Sequence, residues 1–129
     1  MKKLLVLTLV IPTLLLTGCS KDEDSATDVA ADDVGTTHEV TSTDGDMSFS
    51  PIDLTISAGD TVRFIMSDTH NAIEVSQETY DARGVTPLDG GFQVTFGETQ
   101  EVTFSDPGIH YYVCTPHVSI DMIGTITVE

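Results

Sequence analysis

The sequence predicts an all-β domain, an antiparallel sandwich of about eight short strands, on three observations. From Thr36 onward apolar residues recur at every second position in short runs. Turn signals built on Gly, Pro and Asp separate those runs. Outside the N-terminal leader no apolar stripe of helical period exceeds two turns. The whole chain is 129 residues long, so Thr36–Glu129 makes one compact domain and leaves little room for a second.

The leader comes first. Met1-Lys2-Lys3 precedes a run from Leu4 to Leu16 that is apolar except at Thr8, Pro12 and Thr13. A basic start and an apolar core too short to span a bilayer describe a secretory signal, residues 1–18. The run ends in Leu16-Thr17-Gly18-Cys19, which resembles the lipobox of bacterial lipoproteins. That resemblance implies cleavage before Cys19 and a diacylglycerol on its thiol, so that lipid holds an otherwise water-soluble protein at a membrane. Residues 19–35 form the next unit. Ser20–Gly35 holds six acids and no Leu, Ile, Phe or Tyr, too little apolar surface to fold, and reads as an extended tether. Its start, Ser20-Lys21-Asp22-Glu23-Asp24, also looks like the acidic stretch of surface-exported lipoproteins in Bacteroidetes-type bacteria.

Within residues 36–129 the strands follow in order. Leu54 and Ile56, Val62 and Phe64, Ile73 and Val75, then Phe92, Val94 and Phe96 share the period of two, behind a first strand that carries His38. Val102 and Phe104, Ile109, Tyr111 and Val113, and finally Ile126 and Val128 complete the set. Ala58-Gly59-Asp60, Asp89-Gly90-Gly91, Gly97, Asp106-Pro107-Gly108 and Gly124 supply the turns. Gln77–Asp89 is polar, with one Gly and one Pro, and is expected to be a loop with at most one turn of helix.

Charge narrows the function. Acids number 21 against 5 Lys and Arg, for −16; loss of Lys2 and Lys3 with the leader makes the mature chain −18. Such a surface repels phosphate backbones, which excludes nucleic acid and points to positively charged partners.

The chemistry gathers near the C-terminus. With Cys19 acylated, Cys114 is the one thiol left in an exported protein and has no internal partner for a disulfide. His117 follows three residues later and Met122 five beyond that, in Cys114-Thr115-Pro116-His117-Val118-Ser119-Ile120-Asp121-Met122. With 4 His and 4 Met in 129 residues, composition alone puts both at those spacings about once in a thousand. A thiolate with imidazoles in a trigonal set, and a distant thioether, suits copper because it serves Cu(I) and Cu(II) about equally. Pro116 restricts itself and Thr115, which stiffens the loop. A second imidazole must come from elsewhere, and His70 is the best candidate, lying between the strand ending near Ile65 and the one beginning at Ala72. His38 on the first strand, and His110 four residues before Cys114, are expected to be structural.

These features together resemble the cupredoxins, small blue copper proteins, and within them the plastocyanin and pseudoazurin branch. The Cys-x-x-His-x-x-x-x-Met spacing, Phe49-x-Pro51, Gly59-Asp60-Thr61-Val62-x-Phe64, His70-Asn71 and Gly108 ahead of Cys114 carry the resemblance over Thr36–Glu129. It implies a Greek-key sandwich, one copper ion held by His70, Cys114, His117 and Met122, and one-electron transfer. It also implies that the Asn71 amide ties the His70 loop to the ligand loop. Two positions depart from the branch. Val113 stands where plastocyanins carry a Tyr on a second electron route, and the loop Met66–Thr69 is short. An exit for electrons at the His117 ring edge, amid an apolar rim of Pro116, Val118 and Ile120, survives both.

Other functions fit less well. Catalytic copper needs an open position and, for oxygen chemistry, His-x-His pairs, which this chain lacks, so it is not expected to be an enzyme. A copper carrier or buffer is the alternative, but carriers show Met- or His-rich tracts or Cys-x-x-Cys. Zinc is disfavoured by the thioether and the single Cys, and a metal-free adhesion sandwich leaves the ligand spacing unexplained. The expected protein is a monomer at the cell envelope, touching the membrane through its N-terminal lipid. It would exchange electrons with a redox protein, a cytochrome or reductase, that bears a basic docking patch.

Overall fold

The computed structural model describes residues 35–129; the leader, Cys19 and the acidic segment through residue 34 lie outside the described residues. β-Branched and aromatic residues build eight strands: β1 (Thr37–Thr41), β2 (Asp53–Ile56), β3 (Thr61–Ile65), β4 (Ala72–Val75), β5 (Gln93–Val94), β6 (Thr99–Thr103), β7 (Gly108–Val113) and β8 (Ile123–Val128). One short helix, α1 (Gln77–Asp81), follows β4, started by the Ser76 hydroxyl accepting the Thr79 N–H at 3.1 Å.

The strands form two sheets, β1-β3-β6 and β2-β8-β7-β4-β5. One apolar core draws on both: Val40, Phe64 and Phe104 from the first sheet and its edges, Ile56, Val94, Tyr112 and Ile126 from the second. Phe49, Phe64, Phe92, Phe104 and Tyr112 interlock with ring centroids 4.8–6.0 Å apart. This is the expected sandwich, but its sheets are mixed. β1 runs parallel to β3 and β2 parallel to β8, because between each pair the chain crosses to the other sheet and returns in the same direction.

Two further details differ from the pattern in the sequence. β5 stops at Val94, and Phe96 lies 49% exposed in a turn closed by Glu98 N–H to Thr95 O at 3.2 Å. On β7 the apolar alternation Ile109, Tyr111, Val113 faces away from the sandwich, whereas Tyr112 and Cys114 fill it. Two of the three outward residues are nonetheless covered: Val113 packs with Val75 and Val118, and Tyr111 stacks on Tyr80 of α1 at 5.0 Å.

The C-terminal end of β3, the start of β4, the C-terminal end of β7 and the start of β8 meet at one end of the sandwich. Backbone and side-chain bonds collect three loops there. Ser67 N–H donates to Ser42 Oγ at 3.1 Å, Thr69 Oγ1 to Asp44 Oδ1 at 2.8 Å, and Gly97 N–H to Ser67 O at 2.9 Å. The hydroxyls of Thr69 and Ser67 hold the Asp44 carboxyl below its ordinary range.

Candidate metal centre

Two loops at that end carry the donors. In the first, His70 N–H closes a turn on Ser67 O at 3.1 Å, which swings the ring of His70 inward, where it is fully buried. In the second, β7 delivers Cys114 beneath His70 because Ile73 pairs with Val113. The chain then turns at once: His117 N–H reaches Cys114 O at 3.1 Å, Met122 N–H reaches His117 O at 3.2 Å, and Cys114 N–H reaches Met122 O at 3.0 Å. Residues 114 and 122 are thus locked back to back, with Pro116 exposed between them.

The result is a triangle of donors. His70 Nδ1 lies 3.6 Å from Cys114 Sγ, His117 Nδ1 lies 3.4 Å from the same sulfur, and the two nitrogens are 3.1 Å apart. A triangle of these sides has its centre about 2 Å from each corner, the length of a bond from imidazole nitrogen to a first-row metal ion. Two imidazole nitrogens and one sulfur converging at that distance are a donor set that suits a borderline or soft cation. The three donors are the one metal-capable group of three among the described residues. Met122 is fully buried and joined to both Cys114 and His117 through its backbone.

Electrostatics agree with that use. Burial pushes the Cys114 thiol up, while the backbone N–H groups of Asn71 and His117 pull it back in part. Without a cation the sulfur therefore keeps its proton, and ion binding must displace it. Asn71, itself buried, joins the two loops: its Oδ1 accepts the Thr115 N–H at 2.8 Å and its Nδ2 donates to Thr115 Oγ1 at 2.9 Å.

The structure brings His70, Cys114 and His117 together and leaves the other two imidazoles elsewhere. His38 Nε2 sits 2.9 Å from Asp60 Oδ2, and His110 Nδ1 sits 2.6 Å from Glu74 Oε1. The rim needs a correction. Pro116 and Ile120 are exposed, Ile120 at 55%, but Val118 is 7% exposed and turned inward against Val75 and Val113. The 3-10 turn Val118–Ile120 forces this by rotating successive side chains to different sides. Spacing did not reveal Thr115 as the partner of Asn71, nor Arg83, whose Nε meets Asp121 Oδ1 at 2.6 Å beside Met122. Arg83 and Asp121 are the non-glycine residues with positive φ among those described, at 56° and 64°; only Asp121, a type that tolerates this conformation, offered any signal.

A β-sandwich with two imidazoles and a buried thiol converging at one end defines a small copper protein of the cupredoxin class. The family described as copper binding proteins, plastocyanin/azurin family, matches residues 36–129. The chain belongs to that family, and the His70–Cys114–His117 cluster is consistent with its type 1 copper site. It is similar to a plastocyanin of Prochlorothrix hollandica, 40% identical over 86 residues, and to a putative pseudoazurin of Rhizobium leguminosarum bv. viciae, 42% identical over 89. The first match covers 63% of this chain and 63% of the plastocyanin; the second covers 67% of this chain and 53% of the pseudoazurin. Among solved structures, a pseudoazurin from Sinorhizobium meliloti is similar with TM-score 0.58 and 29% identity over 73% of this chain and 74% of that one.

Proposed function

We propose that the protein is a one-electron carrier of the cell envelope, tethered by lipid at Cys19 and serving redox partners with a basic docking patch. The observation that supports it is the placement of His117: its Nδ1 faces Cys114 Sγ at 3.4 Å while the residue itself is half-exposed, so one ring spans the distance from site to surface. His70, Cys114 and His117 would hold the copper ion, with the Met122 thioether as the distant fourth contact. When bound, copper supplies a one-electron couple between Cu(I) and Cu(II).

The protein's part is to keep that site still and dry. Burial of His70, Cys114 and Met122 excludes water, and the Asn71–Thr115 tie with the three backbone bonds around 114, 117 and 122 limits movement between oxidation states. The exposed side chains of Pro116 and Ile120 flank His117 in sequence and offer a small apolar contact for brief docking. No step asks for a proton donor, a nucleophile or a bound substrate, and the family's members act as carriers rather than enzymes.

The test is direct. Cu(II) added to the purified protein should produce an intense visible thiolate-to-copper band, absent in Cys114→Ser, and a small reductant should bleach it rapidly and reversibly. A colourless wild type, or a blue Cys114→Ser, overturns the metal assignment; slow or irreversible reduction favours copper buffering instead. For the anchor, Cys19→Ser should move the protein from the membrane to the soluble fraction, and unchanged partition removes the lipid from the proposal.

A further inference from the structure

Glu74 is an inward-facing carboxylate, 7% exposed and opposite Tyr112 in the β4–β7 register. Its Oε1 lies 2.6 Å from His110 Nδ1, and its Oε2 accepts the Phe92 N–H at 3.0 Å. The chain makes room for it: a Cβ at Gly91 would stand 2.9 Å from Glu74 Oε2. An ionised carboxylate can only accept, so His110 Nδ1 is the donor and Nε2 is left as the nitrogen that gains or loses a proton. His110 stands edge-on to Phe104 at 4.7 Å and lines a cleft of about 490 Å³ between β4–β5 and β6. Protons reach it from that cleft, not through the ligand loops.

The pair is also placed with respect to the donors. Glu74 lies four residues after His70, and His110 four residues before Cys114, on two adjacent antiparallel strands. Four residues of strand span about 13 Å. At an effective dielectric of 20 to 40, one unit of charge at that range changes proton affinity by about three- to tenfold. The other charged groups that face His110 are few. Glu101 on β6 is already met by Arg63 of β3 at 3.0 Å, Asp106 lies in the loop before β7, and β5 and β8 carry no titratable side chain.

We propose that the Glu74–His110 pair is a proton-binding site whose occupancy follows the oxidation state of the metal centre. The proposal rests on the electron-carrier reading and deepens it. One electron entering the centre lowers its charge by one, so His110 Nε2 binds its proton about three- to tenfold more tightly, and on average up to about half a proton per electron moves from water in the cleft to the ring; oxidation returns it to the cleft. Glu74 holds Nδ1–H in both states, so the ring does not need to move.

The copper-loaded protein should show a midpoint potential that falls as pH rises across the range in which His110 gives up its proton. Glu74→Gln and His110→Gln should each reduce that slope while the blue band persists; what remains in both variants arises at His117. Silver(I) and mercury(II), soft ions differing by one charge, give a second readout in wild type that needs no redox step: His110 followed by NMR should bind its proton about three- to tenfold more tightly in the silver form. Equal affinities in the two forms, or a slope as steep in both variants as in wild type, overturn the proposal. A missing blue band in wild type overturns the carrier reading instead.

Discussion

Asn71 grips Thr115 from both sides of its amide: Oδ1 takes the Thr115 N–H at 2.8 Å, and Nδ2 gives to Thr115 Oγ1 at 2.9 Å. These residues directly follow His70 and Cys114 and stand 44 apart in the chain, so this contact joins the His70 loop to the Cys114–Met122 loop. Asn71→Ala leaves a partly buried N–H and hydroxyl without partners. The expected cost is about 1–3 kcal/mol in chemical denaturation of the copper-free protein, with faster copper release to a chelator. Unchanged release would show that the loops hold their places without it.

Tyr112 carries a buried hydroxyl with no partner among the described residues, and burial holds its ionisation far above the usual phenol range. Removing that group relieves a desolvation cost, so Tyr112→Phe should be as stable as wild type or more stable by up to about 1 kcal/mol. The phenol lies against Gly124, where a Cβ would stand 2.5 Å from Oη and 2.8 Å from Ile52 O. Gly124→Ala should therefore cost about 1–3 kcal/mol, and Tyr112→Phe should recover part of it in the double variant. Additive thermal shifts would contradict that coupling.

Asp60 gathers the other end of the sandwich. His38 Nε2 at 2.9 Å, Ser57 N–H at 3.0 Å and Thr36 N–H at 2.7 Å converge on its carboxylate, and the His38 contact is the largest reason its folded pKa is lowered. A depressed carboxyl pKa contributes stability that is present above the unfolded value, about pH 4, and lost as pH falls through the folded one. Wild-type stability should decline below about pH 4 with a steeper limb than Asp60→Asn, which starts lower at pH 7. Parallel acid limbs in urea melts would remove Asp60 from the account, leaving other carboxylates such as Asp44.

Charge sets the last expectation. Residues 36–129 hold fifteen acids against Arg63 and Arg83, or −13, and both arginines are already paired: Arg63 with Glu39 and Glu101, Arg83 with Asp121. Association with a basic redox protein should slow several-fold between about 50 and 500 mM salt. Stopped-flow rates indifferent to ionic strength would reject electrostatic steering.

Strand positions were readable because alternation is a local property: Val62 with Phe64, or Ile126 with Val128, announce a strand wherever the chain goes. Alternation does not say which face is inside. On β7 the outer face is covered at Tyr111 and Val113 and open at Ile109, so the three mark the strand correctly yet point away from the core. Val118 shows the same limit at the ligand loop, where a 3-10 turn, invisible in spacing, buries a side chain that adjacency placed on the rim.

Cys114, His117 and Met122 stand out in the sequence alone, because one tight loop with internal backbone bonds holds all three and short-range geometry follows from spacing. Tertiary structure alone decided that His70 meets that loop and that Glu74 meets His110. Those meetings need β4 laid against β7 in the Ile73–Val113 register, and a register across some 40 residues is chosen by the packing of both sheets, not by any local run of residues.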